Sequence, residues 1–580
     1  MSNSETISTS RSADLVTVTV AIDGTQLSSV FQLLRASVYK EVNKIPSASL
    51  IFLDGDPSSR DFELSNMAEL MPGKSVVITA GYHNDEATIF KGIVIKHQIK
   101  VKGSSSLLII TCKDMAVKMT VASSSQTFHD ISDSDAIDTL ISKYELKAEI
   151  ENTNYSHKKL VKYQCTDWDF VVTRAQACGK LCFISDGQIH IKSPSIDNES
   201  IQKLTYGANM LEFEAEMDAR NQFKKVRSTS WDESKQEIVS TESDIENLPL
   251  HGNFSHSELA SVIGIEDLAM KNGGNIADEM LQSWSDAKMK YQTLSKIRGR
   301  VKFQGIPEVL PDSCISLEGV GDRFSGKAWV SGVYHQIQDG NWTVDVQFGL
   351  NPEWFSETYP IHSPPASSLF PAIKGLQIGI VSQLEDPDGE DKILVKIPII
   401  NMEDEGIWCR ISSLDAGENR GISFLPEIND EVIVGFLNED PNQPVVLGAL
   451  HSSAKPSPIS ATDDNHQKGI ITRSQLKLTF NDDSKTICIE SPSGKRINID
   501  EGSDQISLED DHGNKIIMDN NGIEFSSGKD LIIKASGELK LEGMNIEASA
   551  NSQLKLEGNA GAEISSGAST VVKGSIVQIN

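Results

Sequence analysis

Three stretches of this sequence have residue types and spacing that could do chemistry. Gly321-Asp322-Arg323-Phe324-Ser325-Gly326-Lys327-Ala328 nearly matches the spacing of a phosphate-cradling P-loop. Two parts of that device are missing: Ala328 stands where a hydroxyl would ligate Mg²⁺, and Trp329-Val330-Ser331-Gly332-Val333 reads as a strand where a helix N-terminus would hold the phosphate. The segment is expected to be a hairpin loop whose glycines serve turns. Cys178 and Cys182 are four apart, but no second Cys/His pair lies near at ligand spacing, so two buried thiols are expected rather than a metal site. Asp386-Pro387-Asp388-Gly389-Glu390-Asp391 lacks the full calcium-loop pattern, and Asp-Pro-Asp-Gly is an ordinary turn.

There is no Gly-x-Ser-x-Gly elbow, and carboxylates are too abundant for any pair to stand out as a glycosidase dyad. Catalytic, cofactor-binding and metal-ligating residues are therefore all expected to be none, and the chain is expected not to be an enzyme. The excess of 82 Asp and Glu over 53 Lys and Arg gives a net charge of −29, which repels phosphate backbones and anionic headgroups. Nucleic acid and membrane surfaces are poor candidate partners. Ser2 to Asp14 is a polar Ser/Thr-rich stretch that cannot act as a secretory signal, and no apolar run reaches membrane-spanning length. The 7 cysteines are odd in number and scattered, which fits folding in a reducing cytoplasm.

The elements around these residues read as mainly β. A length of 580 residues exceeds what one core can serve, so several domains are expected. Residues 1–14 read as disordered. From Val16 to Thr111 short strands alternate with turns, as in Val16 to Val20 before Asp23-Gly24. A helix is expected over Ala136, Ile137, Leu140, Ile141 and Tyr144 after the capping candidates Asp133 and Ser134. A second begins at Thr166, turns Trp168, Val171, Val172 and Ala175 inward, and stops at Gly179. Asp186-Gly187 suits a type I′ hairpin. A long helix follows Gly273-Gly274-Asn275 with Ile276, Met280, Trp284, Tyr291 and Leu294 on one face. Strands from Val301 to Gly349 are expected to build a second barrel. The divisions are then a β-barrel region at 15–351, a Pro/Ser linker at 352–374, a small closed β domain of OB size at 375–451, and a linker at 452–467.

The last segment, 468–580, is repetitive. Leu476/Leu478/Phe480, Ile487/Ile489, Ile497/Ile499, Ile506/Leu508, Ile517 and Ile523/Phe525 each precede turn residues, and beyond Asp530 the spacing tightens to near eight. Units this short cannot bury their own apolar faces, so they must stack. One chain with two apolar side chains per unit cannot enclose a core, whereas three wound around one axis can. A single-chain solenoid usually needs longer coils, and a disordered tail would lose the alternation.

The order of parts resembles the VgrG spike proteins of type VI secretion systems, themselves similar to contractile-phage baseplate hub and tail-spike proteins. The resemblance is carried most specifically by Gly379-Ile380-Val381 through Asp386-Pro387-Asp388-Gly389, Trp408-Cys409-Arg410, Gly421 to Pro426, Asp430-Glu431-Val432-Ile433-Val434-Gly435-Phe436 and Asp440-Pro441-Asn442-Gln443-Pro444. Asp391-Lys392 stands where the family usually has Gly-Arg, and Asn429 where Gly is usual, which places the chain in a divergent branch. Weaker echoes are Thr166-Asp167-Trp168-Asp169-Phe170 and Trp342-Thr343 to Phe348-Gly349-Leu350. The resemblance implies two hub barrels with short helices, an OB-fold barrel and a C-terminal intertwined trimeric β-helix forming a needle. It implies a homotrimer seated on an Hcp-like tube and baseplate components, driven out by sheath contraction and touching a target membrane only transiently. It implies that Ile576, Val577, Gln578, Ile579 and Asn580 dock a separate PAAR-type cap protein, with effector proteins carried non-covalently, since no toxin domain follows. Assembly is expected in the cytoplasm and delivery outside it. The spike of an extracellular contractile particle is the alternative; a trimeric adhesin or a cell-wall hydrolase fits less well.

Overall fold

The computed structural model describes residues 15–579 apart from 84, 104 and 245–247, so the expected disorder of residues 1–14 lies outside the described residues. The chain divides into two compact units, Met1–Ala372 and Ile373–Asn580. It is mainly β.

In the first unit the strand Leu33–Glu41 alternates half-buried with buried positions, putting Ala36, Val38 and Lys40 inside. It pairs antiparallel with Gly326–Gln338, Val333 opposite Lys40 and Gln338 opposite Arg35. That pairing joins strands from both ends of the region into one sheet of 13 strands. Behind the sheet, Val38, Leu50, Ile78 and Phe90 share a core with Val301, Val333, Val344 and Phe348. Burying each such side chain stabilises the fold by about 1.5–3 kcal/mol. The two barrel readings thus meet in a common hydrogen-bonded layer.

The helices stand close to where their patterns put them, with two shifts. The helix Asp133–Ser142 is capped by Ser132, whose hydroxyl accepts the Asp135 N–H at 3.1 Å, rather than by Asp133 or Ser134. Asp133 is drawn instead to Arg174 and His157. The helix Asp167–Ala177 is capped by Thr166 as its sequence implies. The long helix, Asp278–Leu294, starts after Ile276 and buries Leu281, Ser285, Ala287 and Met289 along with Tyr291 and Leu294. Met280 and Trp284 stay half-exposed. The buried stripe is misread in sequence because it includes polar Ser285, whose hydroxyl donates to Ser228 Oγ at 2.7 Å. Asp186 (φ 53°) and Gly187 (φ 87°) both sit in the left-handed region, as a type I′ turn requires.

In the second unit the strands Gln377–Gln383, Lys392–Lys396, Ile407–Ile411, Pro444–Ala449 and Glu431–Phe436 close into a barrel. Val381, Ile393, Val395, Cys409, Val432, Val434 and Val446 fill it. Closure leaves these strands no free edge. Gly379 is required there, since a Cβ would lie 2.4 Å from Val395 Cγ1 and 3.0 Å from Val434 Cγ2. Among the described residues no helix is long and apolar enough to cross a membrane.

Candidate assembly surface

After the barrel the chain runs as seven antiparallel strands of five residues each, from Gln467–Ile471 to Gly522–Ser526, every strand pairing with the next. Turn chemistry sets the joints. Asn481 Oδ1 accepts the N–H groups of Asp483 (3.0 Å) and Ser484 (3.1 Å), and Asp519 Oδ1 accepts that of Asn521 at 2.7 Å. Asp510 accepts from His512 and Asn514, and these bonds, led by that from the Asn514 side chain, hold its carboxyl down to about 2.

Register converts the short alternations into two columns on one face. One runs Ile470, Leu478, Ile489, Ile497, Leu508, Ile516, Phe525; the other runs Phe480, Ile487, Ile499, Ile506, Met518, Ile523. The opposite face carries a charge ladder, Lys477, Glu490, Arg496, Glu509, Lys515. The apolar face is the open one: Ile489 is 51% exposed and Phe525 61%, whereas Ser507 on the polar face is 4% exposed. A groove of about 540 Å³ along the first column is lined by Ile470, Leu478, Ile489, Ile497 and Leu508, with Phe424 of the barrel beside them. A contiguous apolar face of this kind marks a site that another surface covers.

From Ser527 to Ile579 no strand or bridge is assigned among the described residues, and every aliphatic side chain from Leu531 onward is exposed. Ile576, Val577, Gln578 and Ile579 all face solvent, and Asn580 lies outside the described residues. Four of the five residues expected to dock a cap thus lie in exposed chain.

The chemical decoys resolve as loops and packing. Gly321 O accepts the N–H groups of Phe324 (3.2 Å) and Ser325 (2.9 Å), the strand Gly326–Gln338 follows, and Ala328 is fully buried. Asp386 turns its carboxylate on the N–H groups of Asp388, Glu390 and Lys392 at 3.0 to 3.1 Å. Of the two thiols expected to be buried, Cys182 is, in a strand, but Cys178 is only half-buried, because it turns to Asp133: its thiol, pushed up to about 12 by partial burial and by Asp133, donates to Asp133 Oδ2 at 3.4 Å. Such a thiol is no nucleophile.

Two polar clusters escape sequence reading. Asp133 takes Arg174 Nε at 2.6 Å and lies 2.9 Å from His157 Nε2; burial works to raise its pKa, but Arg174 and then His157 hold it below its usual value. The fully buried Lys162 ammonium donates to Ser124 O, Ser124 Oγ and Cys165 O at 2.8 to 2.9 Å and pairs with Asp167 at 2.8 Å. These partners come from 24 and more residues away in several cases, so no local spacing announces them.

A closed five-stranded barrel is thus followed by a row of short strands with an open apolar face, the class of a small β-barrel domain on a strand-built stem. Residues 377–451 match the family model described as type VI secretion system/phage-baseplate injector OB domain. The chain belongs to the family described as Alg8 N-terminal domain, whose model matches residues 12–339, more than half its length. It is similar to the spike protein VgrG1a of Pseudomonas aeruginosa, 35% identical over 72 residues that make up 12% of this chain and 11% of that one. VgrG4b of the same organism is 28% identical over 128 residues, 20% of this chain and 16% of that one. The chain thus matches only about a tenth to a sixth of the length of these curated relatives. Among solved structures, the 43 kDa tail protein of prophage MuSo2 from Shewanella oneidensis aligns with a TM-score of 0.44 at 12% identity, covering 58% of this chain and 98% of that one.

Proposed function

We propose that this chain is the spike of a contractile injection apparatus, either a type VI secretion system or a related phage-like particle. It works as a homotrimer whose needle, residues 468–580, punctures a target membrane. The observation that carries the reading is the pair of aliphatic columns turned to solvent after an injector-type barrel. A single copy pairs the backbone of these strands but leaves their side chains wet; three copies set face to face bury both columns on a common axis. Beyond Ser526 even backbone pairing needs other chains, and strands paired between chains resist axial force because no strand can be peeled away alone.

In this reading Ile576 to Asn580 carry a PAAR-type cap, an Hcp-like tube and baseplate components meet the other end, and effectors travel as bound cargo. The role is mechanical rather than enzymatic. The half-buried, protonated thiol of Cys178 and the backbone-saturated carboxylate of Asp386 are what a structural protein would hold.

The test is molar mass by light scattering on the full chain, with an Ile497→Asp/Ile499→Asp variant beside it. Three times the chain mass is expected for the natural sequence, with dissociation in the variant, whose carboxylates would be buried unpaired. A monomeric full-length protein would overturn the proposal.

A further inference from the structure

The strands Ser47–Leu53, Ser75–Tyr82, Asp85–Lys102 and Ser105–Lys113 are hydrogen-bonded neighbours in the large sheet. In a chain with 82 acidic residues they hold no carboxylate beyond Asp85 and Glu86 at the start of the long strand. They do hold Lys91, Lys96, Lys100, Lys102 and Lys113. Register places all five on the outer face: Lys91 opposite Val77, Lys113 opposite Ile93, Lys96 opposite Thr111, Lys100 opposite Leu107 and Lys102 opposite Ser105. The intervening Phe90, Val94, Leu108, Ile110 and Cys112 point into the core.

Lys91, Lys96, Lys100 and Lys102 are exposed, and none of the five ammonium groups has an ion-pair or hydrogen-bond partner among the described residues. Lys113 is half-buried, and burial without a counter-charge holds its pKa below the usual value. Several cations elsewhere in the unit are matched, as Lys192 is with Asp312 and Arg300 with Asp345. Between the lysines the face carries half-buried Ile51, Leu107 and Ile109 and exposed Leu53. No aromatic side chain of these strands points outward to stack a base, and the neighbouring Arg35 guanidinium is engaged by Gln338 at 2.8 Å, leaving no planar fork for phosphate. The composition suits an acidic protein surface with aliphatic spacing. Copies of a chain carrying −29 repel one another, and locally opposite charge across a contact offsets that repulsion. A ring of identical subunits joins two different surfaces of the chain at each contact, so one can be basic and the other acidic.

We propose that this lysine face is the surface by which the first unit of one copy holds an acidic surface of a second copy, an inference that rests on the trimeric reading above. The experiment combines light scattering, lysine acetylation footprinting and zero-length carbodiimide coupling on the native full-length protein, with sites read by mass spectrometry. Because none of the five lysines has a carboxylate within ion-pair reach among the described residues of its own chain, an amide they form with a described Asp or Glu reports a second copy. Expected are a trimeric mass, amides from Lys91, Lys96, Lys100 or Lys102, and loss of acetylation at these residues while exposed Lys147 and Lys158 react. A Lys91→Gln/Lys96→Gln/Lys100→Gln/Lys102→Gln variant should lose the couplings. A trimeric mass with all four lysines freely acetylated and uncoupled overturns the proposal and leaves the face to a different acidic protein. A monomeric mass overturns the trimeric reading itself.

Discussion

Acid should weaken the first unit through His251. Its side chain is 4% exposed, neither ring nitrogen has a partner among the described residues, and the ring stands edge-on to Phe348 with centroids 5.4 Å apart. Burial, reinforced by the charge of Lys296, lowers its pKa from 6.5 to about 4. Between those values the unfolded chain binds a proton that the native one refuses, so stability is full above about pH 6.5 and declines as pH falls. The slope is about 1.4 kcal/mol per pH unit, and over the whole interval the loss is on the order of 3 kcal/mol. His251→Leu removes the titration and strands no hydrogen bond, because only the backbone N–H of His251 is engaged, with Lys327 O at 2.8 Å. Urea unfolding of the full chain, followed by the fluorescence of buried Trp329 and Trp342, should show the variant losing about 3 kcal/mol less than the natural protein between about pH 7 and pH 4. His335, lowered to about 3 by burial and by Lys40, titrates in both proteins and cancels from the difference. Parallel loss of stability in the two proteins would refute the reasoning.

Lys162→Met should cost about 3–5 kcal/mol in urea unfolding, because the buried Asp167 carboxylate would lose its closest cation; adding Asp167→Asn should recover part of the loss, and a single variant as stable as the natural chain would show that the pair is dispensable. Gly379→Ala should lower the stability of the closed barrel by about 1–3 kcal/mol, since the added methyl meets Val395 and Val434 below contact distance; an unchanged denaturation midpoint would mean that the barrel wall yields there.

What could be read from the sequence is what depends on neighbours along the chain. The alternation of Ile487/Ile489 and Ile497/Ile499 fixes which side chains share a face, and the turn residues between them fix antiparallel pairing, so the columns follow from local pattern. Thr166 and Asp186-Gly187 likewise act within a few residues. What escaped depends on partners far away in sequence. Lys40 meets Val333 across the sheet, Arg174 reaches Asp133, and Ser285 hides in a buried stripe that reads as polar. Net charge hid the lysine face in the same way: a total of −29 suggests an evenly acidic surface, and only register gathers five lysines from two strands on one side of the sheet.

The stem divides into two regimes that differ in what one chain can satisfy. From Gln467 to Ser526 each strand finds its hydrogen-bond partner within a few residues, so this meander can form in a single copy, and quickly, since its contacts are local. Its aliphatic columns remain unburied, which gives every copy a preformed sticky face. From Ser527 to Ile579, among the described residues, the backbone forms no strand pairing and no aliphatic side chain is buried in the same chain. In the proposed trimer, then, the meanders associate first and bring three tails into register, and the tails wind afterwards at the high local concentration that association creates. A break in the columns, as in Ile497→Asp/Ile499→Asp, acts on the terminus through this order, although Ile576 and Ile579 lie more than seventy residues further along.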